Sequence, residues 1–296
     1  MNKQPAPKHQ ATPRNLRISL IGAGKVGQSL TSALQRERFN AVLINKDPTA
    51  QLKSAEQADI ILITVQDRHI KDVCDHIAPS IQPNTIVGHC SGALSNAVLL
   101  SAQQSGAIIG SAHPLNTFPN IDAAKKLLNN SGHQTHCFIS GDERAQSAFA
   151  KLFKDIGFIT CELDDEAKTS YHTAGVFLCN YLTSLAEMGL QVAESAGLDR
   201  DEFWTAVQPL MQSTLSNISK HGTTASLSGP IARGDVATVS AHLEALSTNS
   251  NTLSDAYRAL GQQAVELALT KANLTSKNLQ KADVIEKIKS IKEVLK

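Results

Sequence analysis

The sequence predicts an α/β fold in which an N-terminal doubly wound parallel sheet is followed by an all-α C-terminal domain. Three features carry that expectation. Between Leu16 and about Cys161, short β-branched runs alternate with helical stretches, the pattern of a parallel sheet with crossover helices. Several of those runs are apolar without strict alternation, as strands covered on both faces are. After Asp165 the strand signal ends and apolar residues recur at steps of three and four.

In chain order, residues 1–15 are polar, carry three prolines and lack the apolar segment of a secretory signal, so they read as a disordered tail. The first domain is expected over 16–163, with strands at 17–21, 41–45, 60–65, 85–88, 107–111, 137–140 and 158–160. The second is expected over 164–296. It opens with one long helix over 166–196, in which Tyr171, Ala174, Leu178, Tyr181, Leu185, Met188 and Val192 form a seam that should be buried. Further helices are expected at 199–220, 236–245, 252–272 and 276–295, separated by Gly, Ser, Thr and Asn clusters. The apolar helices 236–245 and 253–269 suggest a homodimer.

Composition narrows the function classes. The 296 residues are 42% hydrophobic and 19% charged, enough to bury cores in two domains. A net charge of +1, with acids and bases interspersed, offers no basic stripe to nucleic acid. The apolar run 60–65 is far short of the roughly 20 residues that span a bilayer, so neither nucleic acid nor membrane is expected as a partner. Five cysteines, at 74, 90, 137, 161 and 179, are odd in number and lack ligand spacing. No metal is expected, and the thiols read as free in a cytoplasmic protein.

Directly after the first strand stands Gly22-Ala23-Gly24-Lys25-Val26-Gly27, a GxGxxG turn followed at once by a helical stretch. The first glycine permits the tight turn, the second lets a pyrophosphate approach the backbone, and the third lets helix pack on strand, with phosphates at the helix N-terminus. Strand, motif, helix and second strand in that order read as a Rossmann-type dinucleotide site. At the tip of the second strand Asn45 and Lys46 suit the 2′-phosphate of NADP(H). Asp47 dissents: pointing inward it would favour NAD(H), whereas Asp47-Pro48 can equally begin a turn. At later strand ends Val65 and Gln66, Ser91, and His113 supply polar and backbone groups where a nicotinamide and substrate would lie.

Hydride addition to a carbonyl leaves charge on oxygen, so a proton donor and orienting groups are needed. Lys168 and His172 are four residues apart on the long helix, about 40 degrees from each other around it, and either could donate. Asn180 lies two further turns along. Arg233, in the glycine-bracketed turn Gly229-Pro230-Ile231-Ala232-Arg233-Gly234-Asp235, could grip a substrate carboxylate. Asp235 could cap the helix that follows.

Together, the GxGxxG turn, His89-Cys90-Ser91-Gly92, His113-Pro114-Leu115-Asn116-Thr117-Phe118, Lys168-Thr169-Ser170-Tyr171-His172, Asn180 and the Gly229–Asp235 string resemble bacterial proteins with a Rossmann-like domain followed by DUF2520. That group looks like a branch of the superfamily of 6-phosphogluconate, β-hydroxyacid, pyrroline-5-carboxylate and ketopantoate enzymes, whose second domain carries dimer contacts. The resemblance implies a helix lysine and asparagine that orient substrate and donate the proton, here Lys168 and Asn180. Those relatives often place the asparagine four residues after the lysine, where this chain has His172. The resemblance further implies an NADPH-dependent reduction of a small carboxylate-bearing substrate, with ketopantoate as the sharpest candidate. A cyclic imine or β-hydroxyacid substrate and a non-catalytic NADP(H) sensor are the alternatives.

Overall fold

The computed structural model describes residues 15–116, 135–247, 250–275 and 280–296. The expected tail, apart from Asn15, and Thr117 and Phe118 lie outside them. The chain forms two compact units, Met1–Val176 and Phe177–Lys296.

The first unit is built on a seven-stranded sheet of order β2-β1-β3-β4-β5-β6-β7. Its strands are β1 (Arg17–Ile21), β2 (Asn40–Ile44), β3 (Ile60–Ile63), β4 (Ile86–His89), β5 (Ile108–Pro114), β6 (His136–Gly141) and β7 (Ile159–Glu162). All seven predicted strands are present. The first five run parallel, while β6 is antiparallel to β5 and β7 parallel to β6. The predicted doubly wound parallel sheet is thus present, with one antiparallel pairing, β5 with β6: alternation of strand and helix reveals that a strand exists, and its direction follows from pairing that the pattern does not encode.

The period of two along each strand divides the apolar residues between two cores. Leu20, Leu62 and Ala112 face one way, against α1 (Lys25–Arg36) and α5 (Glu143–Asp155), where Leu30, Leu34, Phe149 and Phe153 fill the space. Ile21, Ile61, Ile63 and Val87 face the other, against Ile70, Cys74 and Ile77 of α3 (Ile70–Ile77). Between these lie α2 (Pro48–Gln57) after β2 and the short α4 (Leu100–Gln104) before β5. Both faces are thus covered, as the unbroken apolar runs required.

The long helix starts in this unit. Helix α6 (Lys168–Gly175) is followed by a π turn over Val176–Asn180 and then by α7 (Tyr181–Ser195). The sequence placed the domain junction at 163. The contacts divide the chain after Val176 because Lys168 and Tyr171 bond to β5, which ties α6 to the sheet.

The second unit continues with α8 (Arg200–Ser226), α9 (Pro230–Arg233), α10 (Val236–Ser247), α11 (Asn251–Thr275) and α12 (Gln280–Val294). Helix α8 is interrupted at Gly222, whose φ of 77° no continuous helix has. Val239, Val265, Ala268, Ile288, Ile291 and Leu295 form the unit's core. The expectation of a buried seam on the long helix is overturned: Leu178, Tyr181, Leu185 and Val192 are exposed, while Leu190 and Ala193 are buried. The 3–4 spacing marks a packing surface, and among the described residues Leu178, Tyr181, Leu185 and Val192 of that surface stay exposed. No helix among the described residues is long and apolar enough to cross a membrane.

Candidate functional site

The glycine turn is held as its motif requires. Gly22 has a φ of 128°, and a Cβ there would stand 2.7 Å from the backbone of Thr64 and Val65. A Cβ on Gly27 would stand 2.0 Å from the Gly22 carbonyl oxygen, so only glycine lets α1 come this close. Thr64, which the sequence did not single out, clamps the turn: its Oγ1 donates to the Gly22 carbonyl at 2.8 Å, and its backbone N–H donates to Ile21 at 2.8 Å. Gly24, by contrast, is the N-cap of α1, makes no side-chain cap, and would point a Cβ into open space. The first turn of α1 therefore offers its N–H groups to whatever lies above it.

Above it is a cleft of about 1270 Å³. It lies between the ends of β1, β2 and β3, the point where the strand order reverses and open α/β sheets bind ligands. Gly22, Ala23, Gly24, Lys25 and Val26 line it from β1, Asn45 and Lys46 from β2, and Val65 and Gln66 from β3. Arg68, His69 and His76 add basic groups against a single acid, Asp72, a balance that suits a ligand with several phosphates. Gly27 lies beneath, packing helix on strand, and does not line the cleft.

The dissenting Asp47 has a structural role. Its carboxylate caps α2, accepting from Thr49 N at 3.0 Å and Ala50 N at 3.3 Å. Asn45 Oδ1 accepts from the Asp47 N–H at 3.0 Å, which leaves the Asn45 amide hydrogens as its donors. The strand tip thus presents an amide donor and the Lys46 ammonium, with the carboxylate turned into the helix.

Ser91 is likewise engaged elsewhere. Its hydroxyl donates to Asp67 Oδ2 at 2.7 Å and accepts from Ala93 N and Leu94 N, so it organises the turn after β4 and does not line the cleft.

Register carries the cleft's edge toward a second cluster. Ile21 pairs with Ile63, Ile63 with His89, His89 with Ser111, and Ser111 with Ser140. This row lies near the carboxyl ends of the parallel strands, apolar at one end and polar at the other. Neighbouring strands are about 4.8 Å apart, so Ser111 on β5 is roughly 14 Å across the sheet from the glycine strand β1, within reach of an extended dinucleotide.

At the polar end is Lys168, 2% exposed, whose Nζ donates to Ser111 Oγ at 2.7 Å. Burial pulls its pKa down to about 8 against the opposing pull of Asp165. Beside it, His113 Nδ1 shares a hydrogen bond of 2.9 Å with Tyr171 Oη. Burial, together with His172 and Lys168, lowers the His113 pKa to about 4, so its imidazole is neutral at pH 7. Burial pushes the Tyr171 phenol well above its ordinary value and raises Cys90 to about 12, which keeps phenol and thiol protonated. His89, at the end of β4, is lowered to about 3 by the same cause.

The structure separates the remaining candidates. His172 is exposed, close enough to His113 to be felt electrostatically. Asn180, in the π turn, and Arg233 belong to the second unit and are exposed. Arg233 ends the four-residue α9, bracketed by positive-φ Gly229 and Gly234. Asp235 accepts from Thr238 N and Oγ1 as a helix cap. All five cysteines are free. Sequence reading missed Thr64, Ser111, Ser140, Asn96 and Asp165, and took Tyr171 as part of an apolar seam. The only signal for most of them was a hydroxyl or acid at a strand end.

Two family models match. Residues 1–114 match a Rossmann-like domain, and residues 135–264 match a domain of unknown function, DUF2520. No curated protein matches the chain in sequence. Among solved structures, the fold is similar to that of a provisionally assigned NADP oxidoreductase of Bacteroides fragilis, at 17% identity and a TM-score of 0.64, over 87% of this chain and 98% of that one. It is similar to that of a Thermotoga maritima protein at 20% identity and a TM-score of 0.60, over 94% and 98%. It is also similar to that of Plasmodium falciparum pyrroline carboxylate reductase with NADP bound, at 13% identity and a TM-score of 0.51, over 94% and 99%.

Proposed function

We propose that the protein is an NADP(H)-dependent oxidoreductase that reduces a small C=O or C=N substrate, with Lys168 as the proton donor. One observation carries the reading: a buried lysine stands at the end of the same strand row that begins beside the glycine cleft. The fold neighbours associated with NADP support it.

The cleft fits the cofactor. The free N–H groups of α1 would hold the pyrophosphate, and Asn45 and Lys46 the 2′-phosphate. With Asp47 committed to α2, the preference falls on NADP(H) over NAD(H). Bound there, the reduced nicotinamide supplies a hydride to the substrate carbon. Lys168 uses one of its three N–H bonds on Ser111 and gives a proton to the substrate heteroatom as charge develops there. His113 is neutral and steered by Tyr171, and its other ring nitrogen orients that heteroatom. His172 enters no step, because an exposed imidazole has no fixed aim. Asn180 and Arg233, in the second unit, are given none.

The donor must be an ammonium, so turnover falls as pH rises through about 8. Ketopantoate remains the named substrate, with a cyclic imine such as pyrroline carboxylate second, favoured by the likeness to a pyrroline carboxylate reductase. The test is NADPH oxidation with each compound in turn. Turnover of either, with NADPH preferred over NADH, supports the reading; tight NADPH binding without turnover of any keto acid or imine overturns it in favour of a sensor.

We also infer a homodimer. Leu178, Tyr181, Leu185 and Val192 are exposed and, with the half-buried Met188, recur at steps of three and four along one face, and a second copy carries the matching face. The helices expected to supply a dimer, α10 and α11, contribute Val239, Val265 and Ala268 to their own unit's core, and α11 leaves Leu260 exposed.

A further inference from the structure

Lys168 is the first member of a chain of hydrogen bonds whose direction can be derived. Its Nζ donates to Ser111 Oγ at 2.7 Å, Ser111 Oγ is 2.9 Å from Ser140 Oγ, and Ser140 Oγ donates to Asp165 Oδ1 at 3.2 Å. A hydroxyl has one hydrogen to give. With that of Ser140 spent on Asp165, the bond between the serines must be donated by Ser111. Every hydrogen in the chain therefore points from the ammonium toward the carboxylate.

Asn96 locks the far end. Its backbone N–H donates to the two carboxylate oxygens of Asp165 at 3.0 and 2.9 Å, and its side-chain amide donates to Ser140 at 2.9 Å and to Asp165 at 2.8 Å. Ser111, Ser140 and Asn96 are all buried. An ordinary packing role does not call for a polar chain this long under a sheet, where each unsatisfied group would be costly.

We propose that Asp165 is a positioning residue for Lys168, acting through Ser140 and Ser111 to hold the buried amine in its charged form at the end of β5. The consequence for catalysis rests on the reading of Lys168 as proton donor. The groups that face Lys168 are Asp165 from the turn before α6, His89 and Cys90 from the end of β4, His113 from β5 and Asp67 from the turn after β3. The two histidines are neutral at pH 7 and the thiol is protonated, so the counter-charge comes from the two acids. Only Asp165 belongs to the chain; Asp67 is held by Ser91.

The titration of Lys168 can be read directly by NMR of protein carrying lysine labelled with 13C at Cε, the resonance being assigned by its absence in Lys168→Met. Asp165→Asn keeps an acceptor and removes the charge, whereas Ser140→Ala keeps the charge and breaks the chain. The midpoint should lie near 8 in the native protein. It should fall by about one pH unit or more in Asp165→Asn, the size expected for losing an opposite charge, and fall also in Ser140→Ala, with the double variant no lower than the larger single. A midpoint unmoved by Asp165→Asn, or moved by it and not by Ser140→Ala, overturns the proposal. The outcome does not depend on turnover. If the midpoint shifts and the alkaline limb of NADPH oxidation stays put, the relay stands and the proton-donor reading fails.

Discussion

The sheet unit and the helical unit treat their apolar residues in opposite ways. In the first, the strands bury both faces, and Leu20, Ile21, Leu62, Ile63, Phe149 and Phe153 are lost from solvent in two cores. In the second, a small aliphatic core leaves Phe177 64% and Leu178 74% exposed, along with Tyr181 and Leu185. The sheet unit closes on itself. The helical unit keeps an apolar face that a water-exposed monomer would not retain without use.

That contrast can be broken by comparing substitutions of similar residues. Phe149→Ala should cost about 3–5 kcal/mol, the cost of truncating a core aromatic, read as a fall in urea midpoint at every protein concentration. Leu178→Asp with Leu185→Asp should leave the folded monomer intact and shift light scattering from dimer to monomer mass. If the double variant unfolds the chain and stays at its original mass, the helical face serves the monomer and the contrast collapses.

Acid sharpens the comparison from the other side. His89 and His113 have folded pKa values of about 3 and about 4 against an ordinary value of 6.5. Both contribute stability that is full above pH 6.5 and is lost as pH falls toward 4 and 3, because the unfolded chain takes up protons that the folded sheet refuses. Between pH 7 and pH 5 urea unfolding should lose roughly 2–4 kcal/mol, and His89→Gln should remove part of that loss. An equal stability at both pH values would show that the histidines are solvated.

The smallest effect separates the two readings of the β2 tip. Asp47→Ala should cost about 1 kcal/mol as a lost helix cap and leave NADPH affinity within twofold. Lys46→Ala should weaken NADPH roughly tenfold, one charge-assisted contact, and leave NADH unchanged. The reverse pattern would make Asp47 the cofactor-reading residue.

Much of the sheet unit was legible because its signals are local. Each strand is a β-branched run, and the GxGxxG turn lies between a strand and a helix that the same window reveals. The site was legible only in part. Ser111 and Ser140 are 29 residues apart and look like ordinary strand residues; antiparallel register alone brings them together. Tyr171 has an aromatic ring that fits the helix seam, and its hydroxyl bond to His113 depends on where α6 meets β5. Lys168 was found from spacing, yet the acid that opposes its burial sits three residues earlier, in a turn whose role is set by Asn96. The seam of the long helix was correctly read as apolar. Its burial was not, since a sequence period names a packing face and not the partner.

The most direct test of the central claim is to measure NADPH binding and NADPH oxidation together in the native protein and in Lys168→Met. The dissociation constants should agree within about threefold, because Lys168 lies outside the cleft, and turnover should fall by a factor of 10² or more, the contribution of a placed proton donor. Turnover retained in Lys168→Met would contradict it.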